Sequence, residues 1–200
     1  MAAHILGAHD GRSRTLVAIA GAPAAGKSTL SKALNNHLNA TDGVSSAVVP
    51  MDGFHLDNSR LQELQLLARK GAPETFDYDG FESLLTRIRS ASGPVYYPVF
   101  DRALDKAIAG AGVVHAHDEI VLVEGNYLLL TEPPWKNLRP LFDFTITIAA
   151  PLETLKTRLI QRWLDNDHSE TDAEARAMSN DIPNAKRVID NALAADLTVP

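Results

Sequence analysis

Eight consecutive residues, Gly21-Ala22-Pro23-Ala24-Ala25-Gly26-Lys27-Ser28, constrain this chain more than any other feature. They satisfy the phosphate-loop pattern GxxxxGK[ST], which has physical meaning only between a strand and a helix. Both flanks are present. Thr15 to Ala20 (TLVAIA) is an apolar run suited to a strand buried on both faces, and Lys27 to Leu38 carries Leu30, Leu34 and Leu38 four apart, which predicts a helix. A chain of this composition would contain such an octad by chance in roughly 0.3% of orderings, before any flanking context is required.

The physical reason for the pattern is charge. Glycines at Gly21 and Gly26 allow the backbone N–H groups of the loop, at Ala22, Ala24, Ala25 and on to Thr29, to turn toward an anion. The helix that starts at Lys27 adds unsatisfied donors and partial positive charge. Lys27 adds a full charge for the outer phosphates of ATP, and the Ser28 hydroxyl is placed to ligate the Mg²⁺ that accompanies them. The bland alternative is a glycine-rich turn that merely caps a helix.

The remaining apolar segments read as α/β. Strands are expected at Ser46 to Pro50, Val95 to Val99, Gly112 to Ala116, Glu119 to Val123, Phe142 to Ala149 and Ala195 to Val199. Helices are expected through Leu61, Leu64 and Leu67, over Phe81 to Ser90, after Pro151, and from about Asp172 toward Asp190; Ala72 to Gly80 reads as loop. This predicts a P-loop NTPase three-layer sandwich, a mainly parallel sheet with helices on both faces, in one domain spanning 1–200 with a short lid near 158–176. The polar stretch Asp165 to Asp172 (DNDHSETD) lies within that lid.

Composition narrows the partners. Lys and Arg number 19 against 25 Asp and Glu, a net charge of −6, which argues against a nucleic acid. With no cysteine, disulfides, thiolate catalysis and Cys-ligated metals are excluded. The longest apolar stretch, Ile120 to Leu130, is interrupted by Glu124 and Asn126 and is too short for a membrane span, and MAAHILGAHDGRSR lacks the form of a signal peptide. The expectation is a cytoplasmic protein acting on a small-molecule substrate, without membrane or nucleic-acid partners; a homodimer rests on base rates alone.

In open α/β sheets ligands collect at the carboxyl ends of strands, where Gly21, Asp52 and Glu124 are expected. Asp52, in PMDGFH, is the candidate general base, with a turn aspartate bonding its own backbone as the alternative. Glu124 closes an apolar strand and is the second candidate for magnesium, or else a solvated strand-end carboxylate. Arg158 and Arg162 share one face of the helix after Pro151 and are candidates to close over the transferring phosphoryl group, with Arg176 a weaker third. Phe76-Asp77-Tyr78 and Phe100-Asp101-Arg102, with Tyr97 and His55 near such groups in sequence, suit hydrogen bonding and stacking on a polyhydroxylated substrate; a surface ion pair and simple packing are the alternatives. His115 and His117 lack a third ligand and read as solvated strand histidines. No NKxD guanine reader is present, and the apolar strand ends in Glu124-Gly125-Asn126 rather than Asp-Glu, which weakens switch and motor readings.

Taken together, PMDGFH, TFDYDGF, PVFDRAL, VLVEGNYLLL and RLIQRW resemble the phosphoribulokinase and uridine kinase family over Thr15 to Pro200. The flavour is that of bacterial fructose transport system kinase-like and nucleoside/pantothenate kinase-like proteins. The resemblance implies transfer of the γ-phosphoryl of ATP to a small-metabolite hydroxyl, with Asp52 as base, Glu124 on the magnesium side and Arg158 and Arg162 in the lid. It implies substrate contacts at Asp101, Asp77, Tyr97 and His55, and an adenine-side loop at Ile182-Pro183-Asn184-Ala185-Lys186. Two departures from the uridine kinase pattern, a short acidic lid and FDRAL, leave sugar, pantothenate, glycerate and nucleoside acceptors open. The competing class is an ATP-binding regulatory module tied to sugar transport that transfers nothing.

Overall fold

A computed structural model describes residues 1–11, 13–40 and 44–200. In chain order its elements are α1 (Ala2–Ala8), β1 (Thr15–Gly21), α2 (Lys27–Asn39), β2 (Ser46–Pro50), α3 (Asn58–Glu63), α4 (Tyr78–Ser90), β3 (Val95–Asp101), β4 (Lys106–Val114), β5 (Ile120–Gly125), β6 (Phe144–Ile148), α5 (Leu152–Leu164), α6 (Glu170–Arg176), α7 (Ile182–Asp190) and β7 (Leu197–Val199). Short 3₁₀ turns at Met51–Phe54, Leu67–Arg69, Pro73–Thr75 and Trp135–Leu141 join some of them.

Five strands make one parallel sheet in the order β2-β5-β1-β6-β7. β1 is buried along its whole length because β5 and β6 pair with it on either side, which is why TLVAIA carries no polar residue beyond Thr15. Fully burying each Val, Leu or Ile of this kind stabilises by about 1.5–3 kcal/mol. Register then fixes function. Glu124 lies opposite both Ile19 of β1 and Pro50 of β2, so the carboxyl ends of three strands come level, and the residues just beyond them share one edge.

β3 and β4 form a separate antiparallel hairpin. β4 begins at Lys106, well before the Gly112 expected from sequence, because most of it is exposed and carries no buried apolar run to announce it. α4 also begins earlier than expected, at Tyr78 rather than Phe81: the Asp77 carboxylate accepts from the Gly80 N–H at 3.0 Å and caps the helix. The single helix expected through Leu61, Leu64 and Leu67 ends at Glu63, with Gln65 in the left-handed region (φ +57°) and a 3₁₀ turn beyond.

Asp172 to Asp190, expected as one helix, is divided. α6 runs into a π-turn at Ala177–Asp181 before α7 starts. Pro183 explains the offset, since it lacks the N–H that would continue the α-helical ladder from the preceding turn. Asp165 to Asp172, expected as loop, contributes its last residues to α6, whose cap is the Ser169 hydroxyl accepting from Asp172 N–H. α1, a segment in which the sequence predicts no element, buries Ile5 completely. Among the described residues no helix is long and apolar enough to cross a membrane.

Candidate active site

The phosphate loop leaves β1 through three residues with positive φ: Gly21 (+152°), Ala24 (+62°) and Gly26 (+103°). At Gly21 a Cβ would also stand 3.0 Å from the Ile148 carbonyl oxygen, so a side chain at the loop's exit would be both strained and tightly placed. The left-handed residues form the concavity of N–H groups that receives anions, at the amino end of α2. Lys27 folds back into it and donates from Nζ to the Ala22 carbonyl at 2.8 Å. Its side chain is buried, and burial pushes its pKa down to about 8 despite the carboxylates of Glu124 and Asp52 nearby. A buried ammonium whose direct partner is a carbonyl of its own loop fits an anionic ligand well.

Ser28, one residue on, donates from Oγ to Glu124 Oε1 at 2.8 Å. Burial pushes the Glu124 carboxyl above the usual range, with the Ser28 bond and Lys27 opposing. A hydroxyl and a carboxylate joined in this way are a hard-oxygen pair of the kind magnesium selects, so the residues present fit that cation.

Asp52 arrives from the other side of β5. β2 ends at Pro50 and the chain tightens into the 3₁₀ turn Met51–Phe54. Gly53 is required there: a Cβ would lie 1.9 Å from the Pro98 carbonyl oxygen of β3. Gly125 similarly admits Met51, whose Cβ would be 2.7 Å from an added Cβ. The turn is thus wedged between β5 and the hairpin. Asp52 Oδ2 accepts from Arg102 Nη2 at 2.7 Å, so Arg102 pairs with the candidate base rather than forming the surface ion pair with Asp101 that the sequence offered as an alternative. The same carboxylate acts electrostatically on Lys27 and Glu124, which places the two halves of the site together.

His55 Nδ1 bonds the Asp52 backbone carbonyl at 2.8 Å, and its ring lies between Phe76 (centroids 4.1 Å apart) and Phe100 (4.7 Å). Burial holds the His55 pKa below its ordinary value, so the ring is neutral at neutral pH. An aromatic wall with one polar edge stands beside the base. This is the setting for a small polar acceptor.

On the lid, Arg158 Nη1 donates to the Ala24 carbonyl of the phosphate loop at 3.2 Å. Arg162 is lowered from its usual pKa by burial and by Arg102, against Asp181 and Asp52. Trp163 anchors this end: its Nε1 donates to Asp181 Oδ2 at 2.6 Å, and the guanidinium groups of Arg162 and Arg176 lie 5.9 and 5.1 Å from its ring centroid. Asp181 and this use of Trp163 gave no signal in the sequence.

Other candidates are not brought to the cleft as free contacts. Tyr97, expected at the substrate, is buried: its hydroxyl donates to the Val48 carbonyl at 2.7 Å, and its ring fills the space that a Cβ on Gly112 would occupy. Asn184, expected on the adenine side, is 3% exposed, with its amide donating to Asn180 Oδ1 at 3.2 Å. Asp77 serves as the cap of α4, and Asp101 accepts from the Leu104 N–H at 3.0 Å in the hairpin turn. The sequence did not reveal these local bonds.

Residues 16–199 match the Phosphoribulokinase / Uridine kinase family. The chain belongs to that family. It is 38% identical over 188 residues to the Escherichia coli (strain K12) protein YggC, covering 93% of this chain and 77% of that one. It is 32% identical over 196 residues to the Schizosaccharomyces pombe "Putative uridine kinase C227.14", covering 94% and 83%. Among solved structures it superposes on a "putative fructose transport system kinase" from Silicibacter sp. TM1040 with a TM-score of 0.95 and 47% identity, covering all of this chain and 97% of the other. The mainly parallel sheet with its helices is the P-loop NTPase α/β fold, and membership of the family makes the chain an ATP-dependent kinase of small molecules.

Proposed function

We propose that this chain transfers the γ-phosphoryl group of ATP to a hydroxyl of a small polyhydroxylated metabolite, a sugar such as fructose first among the candidates, with Asp52 as general base. The carrying observation is the position of Asp52: paired with Arg102, flanked by the His55 wall, and within electrostatic reach of Lys27 and Glu124.

The Asp52 carboxylate accepts the proton of the acceptor hydroxyl as that oxygen bonds to the γ-phosphorus. The bond from the γ-phosphorus to the bridging oxygen breaks and ADP leaves with the electron pair. Lys27 and the loop N–H groups hold the phosphates, while Arg162 and Arg158 bring charge from the lid to the transferring group. Magnesium, held by Ser28 and Glu124, would supply neutralisation of phosphate-oxygen charge. Arg102, Phe100 and His55 orient the acceptor and exclude water from its apolar side.

The test is ADP release from ATP and magnesium against a panel of sugars, nucleosides, pantothenate and glycerate, with mass spectrometry of the product. Asp52→Asn should leave ATP affinity intact and lower acceptor-dependent turnover by about 10²-fold or more. ATP binding with no transfer to any acceptor, in wild type and variant alike, would instead support a regulatory nucleotide-binding module.

A further inference from the structure

Outside the reacting groups, one lysine has its three ammonium donors directed at three acceptors. Lys70 Nζ donates to Asn58 Oδ1 at 2.7 Å and to the Asp105 backbone carbonyl at 3.0 Å, and it pairs with Asp105 Oδ2 at 2.9 Å. Asn58 Nδ2 closes the triangle by donating to Asp105 Oδ2 at 2.8 Å. The same ammonium lies 5.0 Å from the Phe100 ring centroid, and the Lys70 side chain is only 15% exposed. A surface lysine ordinarily keeps its ammonium in water, at a gain of little from any single partner. Here the ammonium joins three segments: α3 through Asn58, the turn between β3 and β4 through Asp105, and the acceptor wall through Phe100. Asp105 itself sits in the left-handed region (φ +51°), a conformation held for a non-glycine residue by such contacts.

The main chain of Lys70 is held as firmly. Its carbonyl accepts from Asn180 Nδ2 at 2.8 Å, in the π-turn that ends the lid. The tip of the hairpin, by contrast, is exposed, and Arg102, three residues before Asp105, is 60% exposed at its side chain. Nothing on that exposed tip supplies the apolar packing that would hold it.

We propose that Lys70 is a positioning residue for the acceptor: it pins the β3–β4 turn and Phe100 so that Arg102 and the aromatic wall stand in register with Asp52. It touches none of the reacting atoms. This rests on the acceptor site proposed above, so the test has a readout that needs no acceptor.

Lys70→Met keeps the stem but removes the charge and the donors. In amide hydrogen exchange of the whole chain without ligands, residues 100–108 should exchange at least about 10-fold faster in Lys70→Met, while residues 15–31 stay unchanged. In turnover, the KM for the acceptor should rise about 10-fold or more, with the KM for ATP within about 2-fold. Asp105→Asn, a milder change on the opposite side of the contact, should reproduce the pattern more weakly, and the double variant should be no worse than Lys70→Met alone. Unchanged exchange at residues 100–108 overturns the proposal, as does an equal rise in both KM values. If no acceptor in the panel is phosphorylated by the wild type, the functional reading fails while the exchange experiment still decides the role of Lys70.

Discussion

The phosphate loop and the β3–β4 hairpin meet at Asp52, yet different forces hold them. The loop hangs from a central strand buried end to end between β5 and β6, and its Lys27 is itself buried. The hairpin forms strand pairs only with itself and exposes most of β4, and beyond the close fit of Pro98 on Gly53 its tip reaches the site through an ion pair, a ring stack and the ammonium of Lys70. A deeply buried frame suits the constant half of the reaction, binding of a triphosphate. Under the proposed function, a polar, lightly packed tip suits the half that must fit one acceptor among many.

The sharpest trial of this contrast is Lys27→Met. Removing the buried charge of the loop should cut kcat/KM for ATP by about 10²–10³-fold or more, with far less effect on how acceptors compete with one another. Steady-state kinetics with two acceptors would show it, and a change in acceptor preference as large as the loss for ATP would break the division of labour.

Gly53→Ala attacks the other side. Its Cβ would meet the Pro98 carbonyl oxygen at 1.9 Å, so the turn and the hairpin must separate. The acceptor KM should rise by about 10-fold or more while ATP affinity, measured by calorimetry, changes by about 2-fold at most.

A titration sharpens the electrostatic half. Because burial lowers Lys27 to about 8, its charge is lost as pH rises through that value, and ATP affinity should fall above about pH 8. The nucleotide-free protein should move the opposite way. Between about 8 and the ordinary lysine value of 10.5 the unfolded chain holds a proton that the folded chain has released, so this residue's contribution makes stability rise with pH in that window. Urea unfolding of wild type against Lys27→Met isolates the contribution, which should be absent from the variant.

The smallest effect belongs to Tyr97→Phe. Loss of the bond to the Val48 carbonyl should cost about 1 kcal/mol in urea unfolding, with turnover within about 2-fold of wild type. A large loss of acceptor affinity would instead place Tyr97 at the substrate.

The same contrast governs what could be read in the sequence. The order of strand, loop and helix at Thr15–Asn39, and the level carboxyl ends that bring Asp52 and Glu124 to the loop, follow from apolar runs and register, which local sequence specifies strongly. Arg102 was legible as a residue but not as the partner of Asp52, because 50 residues separate them and the contact depends on a glycine at 53. Lys70, Asn58 and Asp105 gave no signal, since each is an ordinary polar residue until the turn brings them together. The burial of Tyr97 and Asn184 was equally unreadable: a polar side chain near a motif can end in the interior, bonded to backbone or to a neighbouring amide.

The absence of any gap between Gly53 and Pro98 also limits how such a protein diversifies. The carboxylate and the strand that faces it travel as one rigid piece, so neither can be shifted alone to make room for a bulkier guest. Under the proposed function, retargeting toward a new acceptor therefore falls to side chains farther out, from Phe100 to Asp105, where substitutions alter the shape of the entrance.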